Sequence, residues 1–128
     1  MKQPHWFTRE ECLALHDLML SQYGGIAGTR DENMLESALA RPQQLFHYGK
    51  PGMADLAAAY AAGIVKNHPF LDGNKRTGFM LGAGFLERNG SAFHATETEA
   101  VVRTLALAAG EMSEAAYAEW LKANSKRT

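Results

Sequence analysis

The chain has 128 residues, enough for one compact unit around one core and too few for two comfortable ones. Hydrophobic residues make up 46% and charged residues 21%, with a formal net charge of −1, which argues against a protein whose main task is to coat nucleic acid. The single cysteine, Cys12, excludes an internal disulfide framework, and no apolar run reaches the roughly 20 residues that span a bilayer. The opening stretch from Met1 to Trp6 has no apolar segment of signal-peptide length, so a cytoplasmic chain is expected.

The punctuation of the sequence predicts consecutive helices. Thr8 and Glu11 have capping-box spacing, and Cys12, Leu15, Leu18 and Met19 follow at helical intervals until Gly24-Gly25. Asp31 is placed to cap a second helix carrying Met34, Leu35, Ala38 and Leu39, which Pro42 is expected to stop. A loop from Pro42 to Gly52 follows. The alanine-rich stretch from about Ala54 to Asn67 predicts a third helix, ended near His68 by the demands of Pro69. A fourth is expected from Asn74 or Lys75 to about Arg88, with Asn89-Gly90 as its stop. It is apolar on nearly every side, which marks the buried centre of a domain, and Gly78, Gly82 and Gly84 would admit close neighbours. Ser91 to His94 reads as a short extended piece. Thr96 with Glu99 opens a helix through Ala109, and Ser113 caps a last one containing Tyr117, Trp120 and Leu121. The polar tail from Lys122 to Thr128 is expected to fray. These readings predict five or six helices with little or no sheet.

Chemistry concentrates where the two most apolar helices meet. His68, Asp72, Asn74, Lys75 and Arg76 crowd into nine residues, and polar groups between core helices are costly unless paired. A helix starting near Lys75 presents unpaired N–H groups and the positive end of its dipole, which is an anion site before any side chain is added. Gly73 lets the backbone approach a ligand closely, and Lys75 and Arg76 add two positive charges. Asp72 would repel phosphate unless a magnesium ion joined them. His68 is a residue type able to take a proton near neutral pH. A base, a metal carboxylate and a phosphate cradle are the parts that phosphoryl-type transfer requires. The bland alternative is a solvated polar loop with a histidine that caps a helix. Phe70 and Leu71 read as core anchors. The string is not a Walker P-loop, which needs GxxxxG before its lysine, nor an EF-hand. The five histidines show no zinc-ligand spacing, and no Ser-His-Asp arrangement can be inferred.

The segment HPFLDGNKRTG closely resembles the signature of the Fic/Doc superfamily, and specifically its Doc (death-on-curing) branch. The stretches from Arg30 to Pro42 and from Ala57 to Tyr60 also look like that branch, so the likeness covers most of the chain. The resemblance implies an all-α, compact, single-domain helical bundle over residues 1–128, with the motif loop leading into a central helix. It implies His68 as general base, Asp72 as the magnesium-associated acid, and Gly73, Asn74, Lys75 and Arg76 as the phosphate-binding turn, with Arg76 also counted among the catalytic residues. The loop from Pro42 to Gly52 is matched to the flap that positions a target segment.

Two departures from the adenylylating Fic pattern matter. That pattern has Gly after the Asn and a second Arg three residues after the first, where this chain has Lys75 and Phe79. Doc-type members share the Lys and are similar to kinases that move the terminal phosphate of ATP, with Mg2+, to a threonine of elongation factor Tu. The resemblance therefore implies a toxin that arrests translation. Protein adenylylation and a non-catalytic module that binds an antitoxin or a target are the competing readings. Some Fic proteins inhibit themselves through a helix with Ser or Thr four residues before Glu-Gly or Glu-Asn. Here Glu32-Asn33 is preceded at that distance by Gly28, so inhibition is expected from a separate Phd-like antitoxin. Neither nucleic acid nor a membrane is expected as a direct partner.

Overall fold

The computed structural model describes residues 3–128, so Met1 and Lys2, the start of the stretch read for a leader signal, lie outside it. Its elements run α1 (Arg9–Tyr23), α2 (Glu32–Tyr48), α3 (Met53–Asn67), α4 (Asn74–Arg88), β1 (Ser91–Phe93), α5 (Glu97–Ala109), α6 (Glu114–Ala123) and β2 (Ser125–Arg127). The fold is all-α, with one small two-stranded ribbon among the described residues. None of these helices is long and apolar enough to cross a membrane.

The helix starts follow their caps. The Thr8 side chain accepts from the N–H of Glu11 at 3.0 Å while Glu11 Oε1 accepts from the N–H of Thr8 at 2.9 Å, a complete capping box. Asp31 accepts from Met34 N–H, and Ser113 from Ala116 N–H. At α5 only the Thr96 half of the expected box forms, by accepting from Glu99 N–H. The buried face of α1 is Cys12, His16 and Met19, whereas Leu18 is 47% exposed. That face places a histidine among core residues.

Two expectations fail. Pro42 does not stop α2 but lies buried inside it. A proline there removes one intrahelical hydrogen bond and costs about 3 kcal/mol. Leu45 and Phe46, one turn further on, pack against the core, and Phe46 meets Trp6 edge-on at 5.6 Å. Both are partly buried, so each contributes part of the ~1.5–3 kcal/mol of full burial, and together they offset much of the cost of the proline. The tail also does not fray. Ser125–Arg127 pairs antiparallel with Ser91–Phe93, Thr128 N–H donates to Gly90 C=O at 2.8 Å, and Ser125 Oγ donates to Leu121 C=O. A backbone ladder needs no apolar side chain, so a polar segment can hold it.

The core is built around α3, in which every residue from Leu56 to Val65 is buried. Alanine makes this workable, because small side chains let α2, α4 and α6 all close on the same rod. On α4, a Cβ at Gly78 would sit 2.8 Å from Val65 Cγ1 and 3.1 Å from the Ala61 carbonyl oxygen, so α3 and α4 meet backbone to backbone. Tyr60 is fully buried but keeps its hydroxyl satisfied by accepting from Phe7 N–H at 3.0 Å, and burial pushes its pKa up to about 12.

Candidate active site

The segment from His68 to Gly73 joins the two central helices and is held from three sides. Within it, Phe70 is fully buried, and the Asn74 side chain grips the Phe70 backbone in both directions. Asn74 Oδ1 accepts from Phe70 N–H at 3.0 Å, and Asn74 Nδ2 donates to Phe70 C=O at 2.9 Å. From the α1–α2 connection, residues 28–31 run beside the loop. Leu71 N–H donates to Gly28 C=O at 3.0 Å, Arg30 N–H donates to Pro69 C=O at 2.6 Å, and Thr29 and Phe70 form an isolated antiparallel bridge. The Arg30 guanidinium donates to the carbonyls of His68 at 2.6 Å and Asn67 at 2.9 Å, a cation on the negative end of α3. From α1, His16 approaches the Asp72 carbonyl oxygen to 2.8 Å.

His68 ends α3 with φ 54° and ψ 55°, a left-handed conformation unusual for a residue with a side chain. It presents an exposed imidazole to a groove of about 590 Å³. The same groove is lined by Asp72, Gly73, Asn74, Lys75 and Arg76, so all six expected residues come together. Its far wall, which the sequence did not indicate, comes from Met19 and Tyr23 of α1, Phe79 and Met80 of α4, and Ala95 to Leu105 around α5. Leu71 is not a core anchor. It is 49% exposed and lies over Gly28. Residues 42–52 do not line the groove, so the segment beside the motif is 28–31 and not the loop expected to be the flap.

The charges are arranged against the usual rule for a helix start. Each of the other five helices carries an acidic residue in its first turn, whereas α4 carries none and has Lys75 and Arg76 there instead. Gly73, with φ 78°, caps α4 without a side-chain bond. The first N–H groups of α4 therefore have no intrahelical acceptor, and no acidic residue in its first turn offsets the positive end of its dipole. Lys75 and Arg76 are both exposed, and Arg76 rests over the Tyr23 ring at 4.3 Å. Such an end favours an anion.

Asp72 is the acid nearest to it. Its carboxylate accepts from Ile26 N–H at 3.2 Å and Gly73 N–H at 2.9 Å. Those two bonds, with the charge of Arg76 behind them, hold it below the ordinary carboxylate range. Each of its oxygens has a lone pair left over. No group of three or more His, Cys, Asp or Glu side chains able to hold a metal occurs among the described residues. An ion such as magnesium, bound by one carboxylate and completed by substrate phosphates and water, is compatible with that arrangement. Cys12 is no competitor as a nucleophile, since burial pushes its thiol up to about 12.

Two contributors were hidden from sequence reasoning. His16 had one faint signal, a polar residue four after Cys12 and three before Met19 on a buried stripe. Arg30 had none, because its acceptors are carbonyls 37 and 38 residues away.

This fold and this loop match a known class. The model of the Fic/DOC family matches residues 6–86, which include the loop and all the elements that hold it. The chain is 34% identical over 115 residues to "Protein kinase doc" of Escherichia phage P1, covering 88% of this chain and 90% of that protein. It is 41% identical over 88 residues to "Toxin Doc" of Mycolicibacterium smegmatis, covering 66% of this chain and 65% of that protein. The chain belongs to the Fic/DOC family, in its Doc branch.

Proposed function

We propose that this chain is the toxin of a toxin–antitoxin module that acts as a protein kinase. It transfers the terminal phosphate of ATP to a Ser or Thr hydroxyl of a protein, elongation factor Tu, and so arrests translation. Residues 1–128 work as one unit in the cytoplasm, and a Phd-like antitoxin restrains it. The names of the two relatives, one a kinase and one a toxin, support this reading.

The observation that carries the chemistry is the shared groove. His68 opens into the same space as the start of α4, whose first turn carries cations and no acid. The amides of Asn74 to Arg76, with Lys75 and Arg76, hold the phosphates there. Asn74 contributes through its backbone N–H, because its side chain is engaged with Phe70. His68 takes the proton from the attacking hydroxyl. The hydroxyl oxygen forms a bond to the terminal phosphorus, the bond from that phosphorus to the bridging oxygen breaks, and ADP leaves. Asp72 would hold the magnesium, which when bound neutralises part of the phosphate charge.

Phe79 bears on the competing adenylyl reading. It lines the groove and meets Phe93 at 5.9 Å and Trp120 at 6.3 Å, so no guanidinium is available there to hold an adenylyl group.

The test is to incubate the chain with magnesium, purified elongation factor Tu and ATP labelled at either the α or the γ phosphate. Transfer of the γ label alone is expected. Transfer of the α label would replace the kinase with an adenylyltransferase, and no transfer would leave a binding module. The control is His68→Asn, because asparagine tolerates the left-handed conformation better than alanine does. It should remain folded and lose transfer.

A further inference from the structure

His16 is 3% exposed on the inner face of α1, and no step of the proposed transfer uses it. A carbonyl oxygen only accepts, so the 2.8 Å contact with Asp72 fixes the tautomer: Nε2 carries the proton and donates. The ring lies flat against Phe70, with centroids 3.7 Å apart and planes 8° apart. Its Nε2–Cδ2 edge stands 3.5 Å from where a Cβ on Gly73 would be. His16 thus meets Phe70, Asp72 and Gly73 at once.

We propose that His16 is a positioning residue which, by donating to the Asp72 carbonyl, fixes the Asp72–Gly73 peptide plane and thereby aims the Asp72 carboxylate. The reasoning is geometric. In a planar trans peptide the C=O and the following N–H point in opposite directions. Drawing the Asp72 carbonyl toward α1 therefore turns the Gly73 N–H away from it, and that N–H donates to Asp72 Oδ1 at 2.9 Å. Asp72 Oδ2 is then left to accept from Ile26 N–H. Glycine at φ 78° gives this peptide little resistance to rotation of its own, so an external anchor decides its orientation. The anchor is on a different helix and is set by packing, which makes the carboxylate's direction a property of the bundle. The catalytic half of this proposal rests on the phosphate-transfer reading.

The experiment compares His16→Phe, which keeps a flat ring for Phe70 and removes the donor, with His16→Gln, which returns an N–H close to the place of Nε2. With γ-labelled ATP, His16→Phe is expected to lower kcat about 100-fold, the scale of a small misplacement of reacting groups. The KM for ATP should move less than about threefold, because the cations and amides that bind it remain. His16→Gln should recover most of kcat. A packing role alone would leave His16→Phe active and would not respond to the amide.

Solvent exchange of the Gly73 amide proton, followed by NMR, gives a readout that needs no activity. It should quicken about tenfold in His16→Phe and stay near native in His16→Gln. His16→Met, a second variant without the donor, must follow His16→Phe. Unchanged exchange in the donor-free variants overturns the proposal whether or not the chain is a transferase. Quickened exchange with native kcat overturns its catalytic half. If the native chain transfers nothing while exchange responds as stated, the kinase reading fails and the bracing stands.

Discussion

Asn74→Ala isolates what the loop gains from its internal brace. Asn74 is 3% exposed, and its side chain satisfies both the N–H and the C=O of Phe70, which is fully buried. Removing it strands one buried donor and one buried acceptor, and each such group costs about 1–3 kcal/mol. Water reaching the opened space recovers part of this, so a net loss of about 2–4 kcal/mol is expected. For a chain of this length that lowers the thermal midpoint by about 10 °C. Urea denaturation at neutral pH measures it, and an unchanged m-value would show that the native surface was preserved. Asn74→Asp sharpens the test. A carboxylate still accepts from Phe70 N–H but faces the Phe70 carbonyl oxygen with no donor, so it should be at least as destabilising as alanine. A loss below about 1 kcal/mol for Asn74→Ala, or an Asn74→Asp variant as stable as the native chain, would refute the brace.

Two further outcomes follow from packing and charge. Gly78→Ala should destabilise by about 1–2 kcal/mol in urea, because overpacking against Val65 and the Ala61 carbonyl outweighs the gain of about 1 kcal/mol in helix propensity. Gly84→Ala, whose new Cβ meets only the ring of Phe7, should be neutral or stabilising; equal losses at the two sites would contradict the close approach of α3 and α4. The Arg88 guanidinium, and after it the Thr8 N–H, holds the Glu11 carboxyl down to about 2 from a reference of 4.5. A depressed carboxyl contributes stability that is present above its unfolded value and lost as pH falls through the folded one, so the loss falls between about pH 4.5 and 2. Side-chain exposures of 31% and 38% mean solvent screening keeps the pair below about 1 kcal/mol. Glu11→Gln should flatten that part of the urea-stability profile, and parallel profiles would remove the pair from the account.

What was legible in the sequence was local. Thr8, Asp31, Thr96 and Ser113 each bond an N–H three residues away, so capping could be read without knowing the fold. The motif loop was legible for the same reason, since its polar groups lie within nine residues. Pro42 was misread because its fate depends on Leu45 and Phe46 finding partners far along the chain. The strand at Ser125–Arg127 left no trace because its pairing uses backbone groups that every residue has. His16 is 56 residues from Asp72, and the α5 wall of the groove begins beyond β1, so neither could be tied to the loop by spacing.

The same separation explains why the site is stable at all. Taken alone, its strip of chain is poorly disposed. His68 sits in a left-handed conformation, a strain of about 1–3 kcal/mol, and Lys75 and Arg76 oppose the helix dipole by about 0.3–1 kcal/mol each. Opposing these are contacts that reach in from elsewhere: Arg30 on the end carbonyls of α3, His16 on the Asp72 carbonyl, the residue 28–31 strip beside Pro69 and Leu71, and Phe70 buried among them. The terms are of similar size, so the bundle can impose on this strip a geometry its residues would not choose. The unfavourable charges line the groove, whereas Arg30, His16, Phe70 and the residue 28–31 strip do not. An anion arriving in the groove would therefore relieve the first set without disturbing the second, which is the condition for a loop that binds phosphate without refolding.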